Sequence, residues 1–104
     1  MDFIEKKKQL IDLLLKYLNK ECSLETLENF VWGIIEYFNK TMKSELPPYQ
    51  EFEKEFWYTI WQIQHLADAK HEKEGITGKI LSEALEFLQK KKKIPNEYKG
   101  SRPK

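Results

Sequence analysis

With 104 residues, a net charge of +1 and a single cysteine, Cys22, the chain is sized for one domain spanning residues 1–104 and cannot hold an internal disulfide. No apolar run approaches the roughly 20 residues of a membrane span, and the N-terminal segment has acids where a secretory signal would be apolar. A cytoplasmic, reducing setting is therefore the expectation.

Charge is unevenly spread. Residues 1–20 carry five lysines against three acids, residues 21–86 six lysines against thirteen acids, and residues 87–104 six lysines and Arg102 against one glutamate. An acidic body with a basic tail disfavours nucleic acid as a ligand of the body and suits a basic protein.

Helical periodicity accounts for most of the chain. The first segment, about 2–18, repeats Phe3, Leu10, Leu14, Tyr17 and Leu18 on one face, widened by Ile4, Ile11 and Leu15, with Asp2 as N-cap. The second, about 24–42, follows a capping Ser23 and an acidic first turn. Its line is Leu27, Val31, Ile34 and Phe38. Phe30, Trp32, Ile35 and Tyr37 make it apolar around much of its girth, which suits a central helix or one carrying a second contact surface.

The third segment, about 49–71, is expected to start after Pro48, which suits a first helical position. Phe52, Phe56, Ile60, Ile63 and Ala67 mark one face, and Glu74-Gly75 reads as its C-terminal stop. The fourth, about 77–92, buries Ile80, Leu81, Ala84, Leu85 and Leu88, and ends in Lys90–Lys93, where a helix C-terminus favours cations. Ile94–Tyr98 reads as a short extended return, and the tail 93–104 as partly extended or loose. Nothing alternates with the period of a strand. The fold class is all-α: an antiparallel bundle of about four helices with a short basic C-terminal tail.

The chain carries no phosphate loop, dinucleotide fingerprint, zinc-finger spacing or nucleophile elbow. Neither an enzyme activity nor a cofactor is expected. His65, Asp68 and Glu72 share one helix face and offer a nitrogen and two carboxylates, but a solvated polar face is the better reading and no metal site is assigned. His65, beside Trp61, is expected to be half-buried. Cys22 precedes a helix start, where the dipole can lower a thiol pKa, yet a lone cysteine in a turn is usually structural. The basic tail is read as helix capping and solubility rather than phosphate binding.

The third segment is the candidate site. Phe56, Trp57, Tyr58 and Trp61 cannot all face one core, because consecutive helical residues point about 100° apart. Trp32, Tyr37 or the 94–98 return could cover the surplus from within, or a partner protein could, since Trp and Tyr are favoured interface anchors; both readings stay open. Glu45, Glu51, Glu53, Glu55, Asp68, Glu72 and Glu74 cluster around the same segment, against only Lys54, Lys70 and Lys73.

The run from Leu10 to Glu25, followed by Phe30 and Trp32, resembles small helical bacterial immunity proteins, such as those of colicin D and of contact-dependent growth inhibition systems. These have a first helix ending in a short turn with Ser or Thr, then an aromatic-rich second helix. The resemblance covers about the first 40 residues. It implies an immunity protein that binds a cognate toxin, often the basic nuclease domain at the C-terminus of a larger effector, and covers its active site with acids in place of substrate phosphates. Binding positions differ between cognate pairs, so no residue role is carried over. The partner-binding candidates here are Glu51, Glu55, Trp57, Trp61, Asp68 and Glu72. The alternative is a helical adaptor or homodimerising interaction module.

Overall fold

A computed structural model describes residues 3–68, 74–98 and 100–103. Four α-helices form the bundle: α1 (Phe3–Leu18), α2 (Leu24–Lys40), α3 (Glu53–Asp68) and α4 (Glu74–Leu88). A short 3₁₀ turn (Lys43–Glu45) lies between α2 and α3. Each helix has two neighbours, since α1 packs against α2 and α4, and α3 packs against the same two. No strand occurs among the described residues.

The apolar lines read from the sequence become the core. Leu10 and Leu14 of α1 meet Leu27, Val31, Ile34 and Phe38 of α2, Phe56, Trp57, Ile60 and Ile63 of α3, and Leu81, Leu85 and Leu88 of α4. The stripe on α1 is narrower than expected, because Ile4 and Leu15 face outward. The most enclosed helix is α3, where Phe56 to Ile60 are buried in succession. The girth of α2 is instead divided between a buried line and an exposed outer face.

Local chemistry sets the helix ends. Ser23 caps α2, its hydroxyl accepting from the Thr26 N–H at 3.3 Å. At the other end the Thr41 hydroxyl donates to the Tyr37 carbonyl at 2.7 Å, and the helix closes at Lys40 rather than Met42. The start of α3 lies at Glu53, four residues later than Pro48 suggested. The Glu53 carboxylate accepts the Gln50 N–H at 2.5 Å, the reaching-back half of a capping box, and so fixes the entry after the irregular segment 47–50. Gly75 is no stop for α3, since Glu74 and Gly75 form the start of α4.

Both α1 and α4 end in the same way. Lys20 and Lys90 adopt φ of 62° and 61°. The Glu21 N–H donates to the Lys16 carbonyl and the Lys20 N–H to Tyr17; Lys91 donates to Glu86 and Lys90 to Phe87. This is a Schellman closure with lysine at the left-handed position usually given to glycine. It ends α4 at Leu88, ahead of the lysine run that the sequence reading placed within it.

An L-residue is strained at this φ, whereas glycine is not. Lys20→Gly and Lys90→Gly should each raise the unfolding free energy by about 0.5–1 kcal/mol. Urea denaturation checks this, and a lowered midpoint in both variants would be inconsistent with these closures.

Candidate functional site

The aromatic surface of α3 is organised by one carboxylate. Glu53 is fully buried at the helix entrance. Its Oε1 accepts the Arg102 Nε–H at 2.7 Å and the Trp57 indole N–H at 3.0 Å, while its Oε2 accepts the Arg102 Nη2–H at 2.8 Å. The guanidinium therefore binds the carboxylate with two parallel hydrogen bonds, the strongest geometry available to this pair. It also lies 5.5 Å from the Phe3 ring centre, 5.8 Å from Phe38 and 5.6 Å from Tyr49, within cation–π range of all three.

The chain around Arg102 is docked too, where the sequence reading allowed a loose end. The Tyr49 hydroxyl donates to the Gly100 carbonyl at 2.7 Å, and the Trp61 indole N–H donates to the Ser101 carbonyl at 2.7 Å. Gly100 passes so close to α3 that a Cβ there would lie 2.0 Å from the Lys54 carbonyl oxygen, so only glycine fits. The Lys54 ammonium donates to the Pro95 and Asn96 carbonyls. Ahead of these contacts, Ile94 and Tyr98 pack with Tyr58, Ala84 and Phe87 into a second apolar cluster. The return expected at 94–98 is thus what covers part of the α3 aromatics.

The six candidates from the sequence separate in this arrangement. Trp57 is fully buried, at the centre of edge-on contacts with Phe3, Phe38 and Phe56, and cannot anchor a partner in this conformation. Trp61 is half-buried, tilted against Trp57 and tied to Ser101. Glu51 and Glu55 do come together, but on the wall of a shallow groove of about 320 Å³ that also holds Lys90, Lys92 and Lys93. One Glu55 oxygen, Oε2, is buried there without a hydrogen-bond partner. Asp68 closes α3 with its side chain outside the described residues, and Glu72 lies outside them entirely. With Glu53 neutralised by Arg102 and lysines beside Glu51 and Glu55, the described part of α3 presents no acidic face.

One other reading changes. His65 is exposed rather than half-buried. The Cys22 thiol donates to the Leu13 carbonyl at 3.6 Å, and burial pushes its pKa up, only partly offset by Lys16. This environment disfavours the thiolate, the reactive form of the group. Among the described residues no group of three metal-ligating side chains gathers.

The tryptophan left uncovered is Trp32, 47% exposed on the outer face of α2. Glu28 and Glu36 lie one helical turn to either side, and Glu25 nearly two turns before it. Asn29 and Asn39 share this face, and at Gly33 beside the indole a Cβ would meet nothing within 4 Å. Lys40 is the cation on this stretch, paired with Glu36 at 2.7 Å. Beyond Asn39 the face runs into a groove of about 560 Å³ between Phe38, Thr41 and the Leu46–Tyr49 segment. The outer face thus joins one large aromatic to three carboxylates over about 16 Å of helix. Helical spacing made this set legible in the sequence, where the girth of the second segment allowed a second contact surface and Trp32 was also one possible cover for the third.

Comparison with protein-family models, curated proteins and solved structures finds no match for this chain.

The buried pair gives the site a pH signature. Burial pushes the Glu53 carboxyl up, but hydrogen bonds from Arg102, Trp57 and the Gln50 amide, with the guanidinium charge, outweigh it and hold the pKa below its ordinary value. A depressed folded value means that this stabilisation is complete above the ordinary glutamate range and is lost as pH falls through the folded value. Removing one partner of a buried pair leaves the other charge uncompensated. Arg102→Ala should therefore cost about 3 kcal/mol in urea denaturation at pH 7, and adding Glu53→Gln should cost less than the two changes separately. The wild type should lose stability below about pH 4.3 more steeply than the double variant. A cost under about 1 kcal/mol for Arg102→Ala would mean that the pair is not buried as described.

Proposed function

We propose that this chain is an inhibitory binding protein of the immunity type, which neutralises a basic toxin domain, most simply a nuclease, by docking the outer face of α2. The observation that carries the reading is the exposed Trp32 among Glu25, Glu28 and Glu36, left uncovered while Trp57 and Trp61 are occupied within the fold. A half-exposed indole supplies a large, stiff apolar anchor. The carboxylates speed encounter with a surface built to hold phosphates and suppress other partners. The likeness of residues 10–32 to small helical immunity proteins points the same way, and α2 lies partly within that stretch.

The docking face differs from the one expected on α3. Burial of Trp57 and the pairing of Glu53 favour α2 over that surface, and among the described residues Trp32 stays exposed. A toxin-covering role needs a rigid surface, and α2 is held by five buried side chains along its inner line.

The test is calorimetric titration with the purified C-terminal domain of the protein encoded immediately upstream, since immunity genes commonly follow their toxin genes. One-to-one nanomolar binding that abolishes toxicity is expected. Trp32→Ala should then weaken the complex by about 2 kcal/mol or more, near thirtyfold. Reversing Glu25, Glu28 and Glu36 to lysine should act mainly on the association rate. Tight binding that none of these changes weakens would remove the α2 face, and no binding at micromolar concentration would remove the immunity reading.

A further inference from the structure

A third concave surface lies away from α2, between α3, α4 and the C-terminal return. It has a volume of about 520 Å³ and is lined by Tyr58, Trp61, Gln62, Ile80, Glu83 and Tyr98. Three of these six side chains are aromatic, and one is a carboxylate. Four of them are fixed by contacts that leave Trp61 and Tyr98 partly open and Tyr58 buried. Tyr58 stacks on Tyr98 with ring centres 5.1 Å apart and planes 17° from parallel, and edge-on against Phe87. The Trp61 indole is fixed by its bond to the Ser101 carbonyl. Glu83 accepts from the Lys92 ammonium at 2.7 Å.

Aromatic faces carry partial negative charge, and several of them beside a carboxylate favour a cation whose hydration shell is weak. An ammonium carrying alkyl groups meets that condition: it gains apolar contact with the rings and loses little water. A bare ammonium such as that of Lys92 keeps its water and stays at the rim, where its exposed pair with Glu83 costs little to give up. Burial first, then Tyr98 and Glu83, push the Tyr58 hydroxyl up, so the phenol stays neutral at physiological pH.

We propose that this groove is a binding site for an alkylated ammonium ion. The ion sits against Trp61 and Tyr98, with the buried Tyr58 ring stacked on Tyr98, and Glu83 supplies the counter-charge. The site is independent of the docking face on α2. The ligand is either a free quaternary amine or a methylated lysine of another protein, which share this chemistry.

The test is titration of the full chain with choline, with a short peptide containing trimethyllysine, and with 3,3-dimethylbutanol, the neutral carbon analogue of choline, reading the Trp61 indole resonance by NMR. Saturable binding of choline on the order of 1 mM is expected, with the neutral analogue at least tenfold weaker. Glu83→Gln should weaken choline about fivefold while leaving the fold intact, since Glu83 lies at the surface. Lys92→Gln should tighten it about threefold by freeing Glu83. Tighter binding of the peptide than of choline assigns the site to a protein side chain; equal binding assigns it to a free amine. Equal binding of choline and its neutral analogue, no saturable shift at several tens of millimolar, or no response to Glu83→Gln would overturn the proposal.

Discussion

Burying a carboxylate at a helix entrance is unfavourable unless each of its oxygens is met by donors and its charge is balanced. Glu53 satisfies this by drawing on three parts of the chain. Its own preceding turn contributes the Gln50 amide, the next helical turn contributes the Trp57 indole, and the C-terminal segment contributes Arg102 from 49 residues away. The first contact decides where α3 begins. The second holds the largest core side chain in one orientation. The third fastens the tail across the end of the bundle, with Phe3, Phe38 and Tyr49 around the guanidinium. A bundle of four short helices buries only a modest core, and a basic strap that closes one end adds both apolar cover and a fixed charge pair.

That arrangement determines which surfaces remain for binding. The aromatic excess on α3 is absorbed from within, by Arg102, Ser101, Ile94 and Tyr98. What is left is of two kinds. The outer face of α2 offers an indole among carboxylates, flat and anionic, suited to a basic protein surface. The groove beside Tyr98 is concave and aromatic, suited to a small organic cation. Both exist because the tail takes one course across α3 and, among the described residues, Trp32 on the outer face of α2 stays exposed.

The helices and their buried lines were legible in the sequence because the apolar spacing on each is regular and Ser23 is an unambiguous cap. The entry to α3 was misplaced because Pro48 is compatible with a first helical turn, while the interaction that fixes the start, from Glu53 to the Gln50 amide, competes with it only in three dimensions. Gly75 was misread because a glycine marks a helix end only when it takes the left-handed conformation, and here Lys20 and Lys90 do so instead. The candidate site fared least well. Trp57 and Glu53, one turn apart, share a face, but nothing in the local pattern says that an arginine near the far end of the chain will bury both. Trp32 and its glutamates share a face by helical spacing, but the sequence left open whether Trp32 covered α3 or lay on a second contact surface, and only the fold shows it exposed.

The fold uses Trp57 completely, Trp61 partly and Trp32 hardly at all, a division that fluorescence can read. This division is tested most directly with three variants that each retain one tryptophan, the other two being replaced by phenylalanine, in acrylamide quenching of fluorescence. The expected order of quenching is Trp32 first, Trp61 intermediate and Trp57 strongly protected, in chains that circular dichroism shows to be helical. Protection of Trp32 in the monomeric chain, or quenching of Trp57 as efficient as that of Trp32, would contradict the strap across α3 and the free face on α2 together.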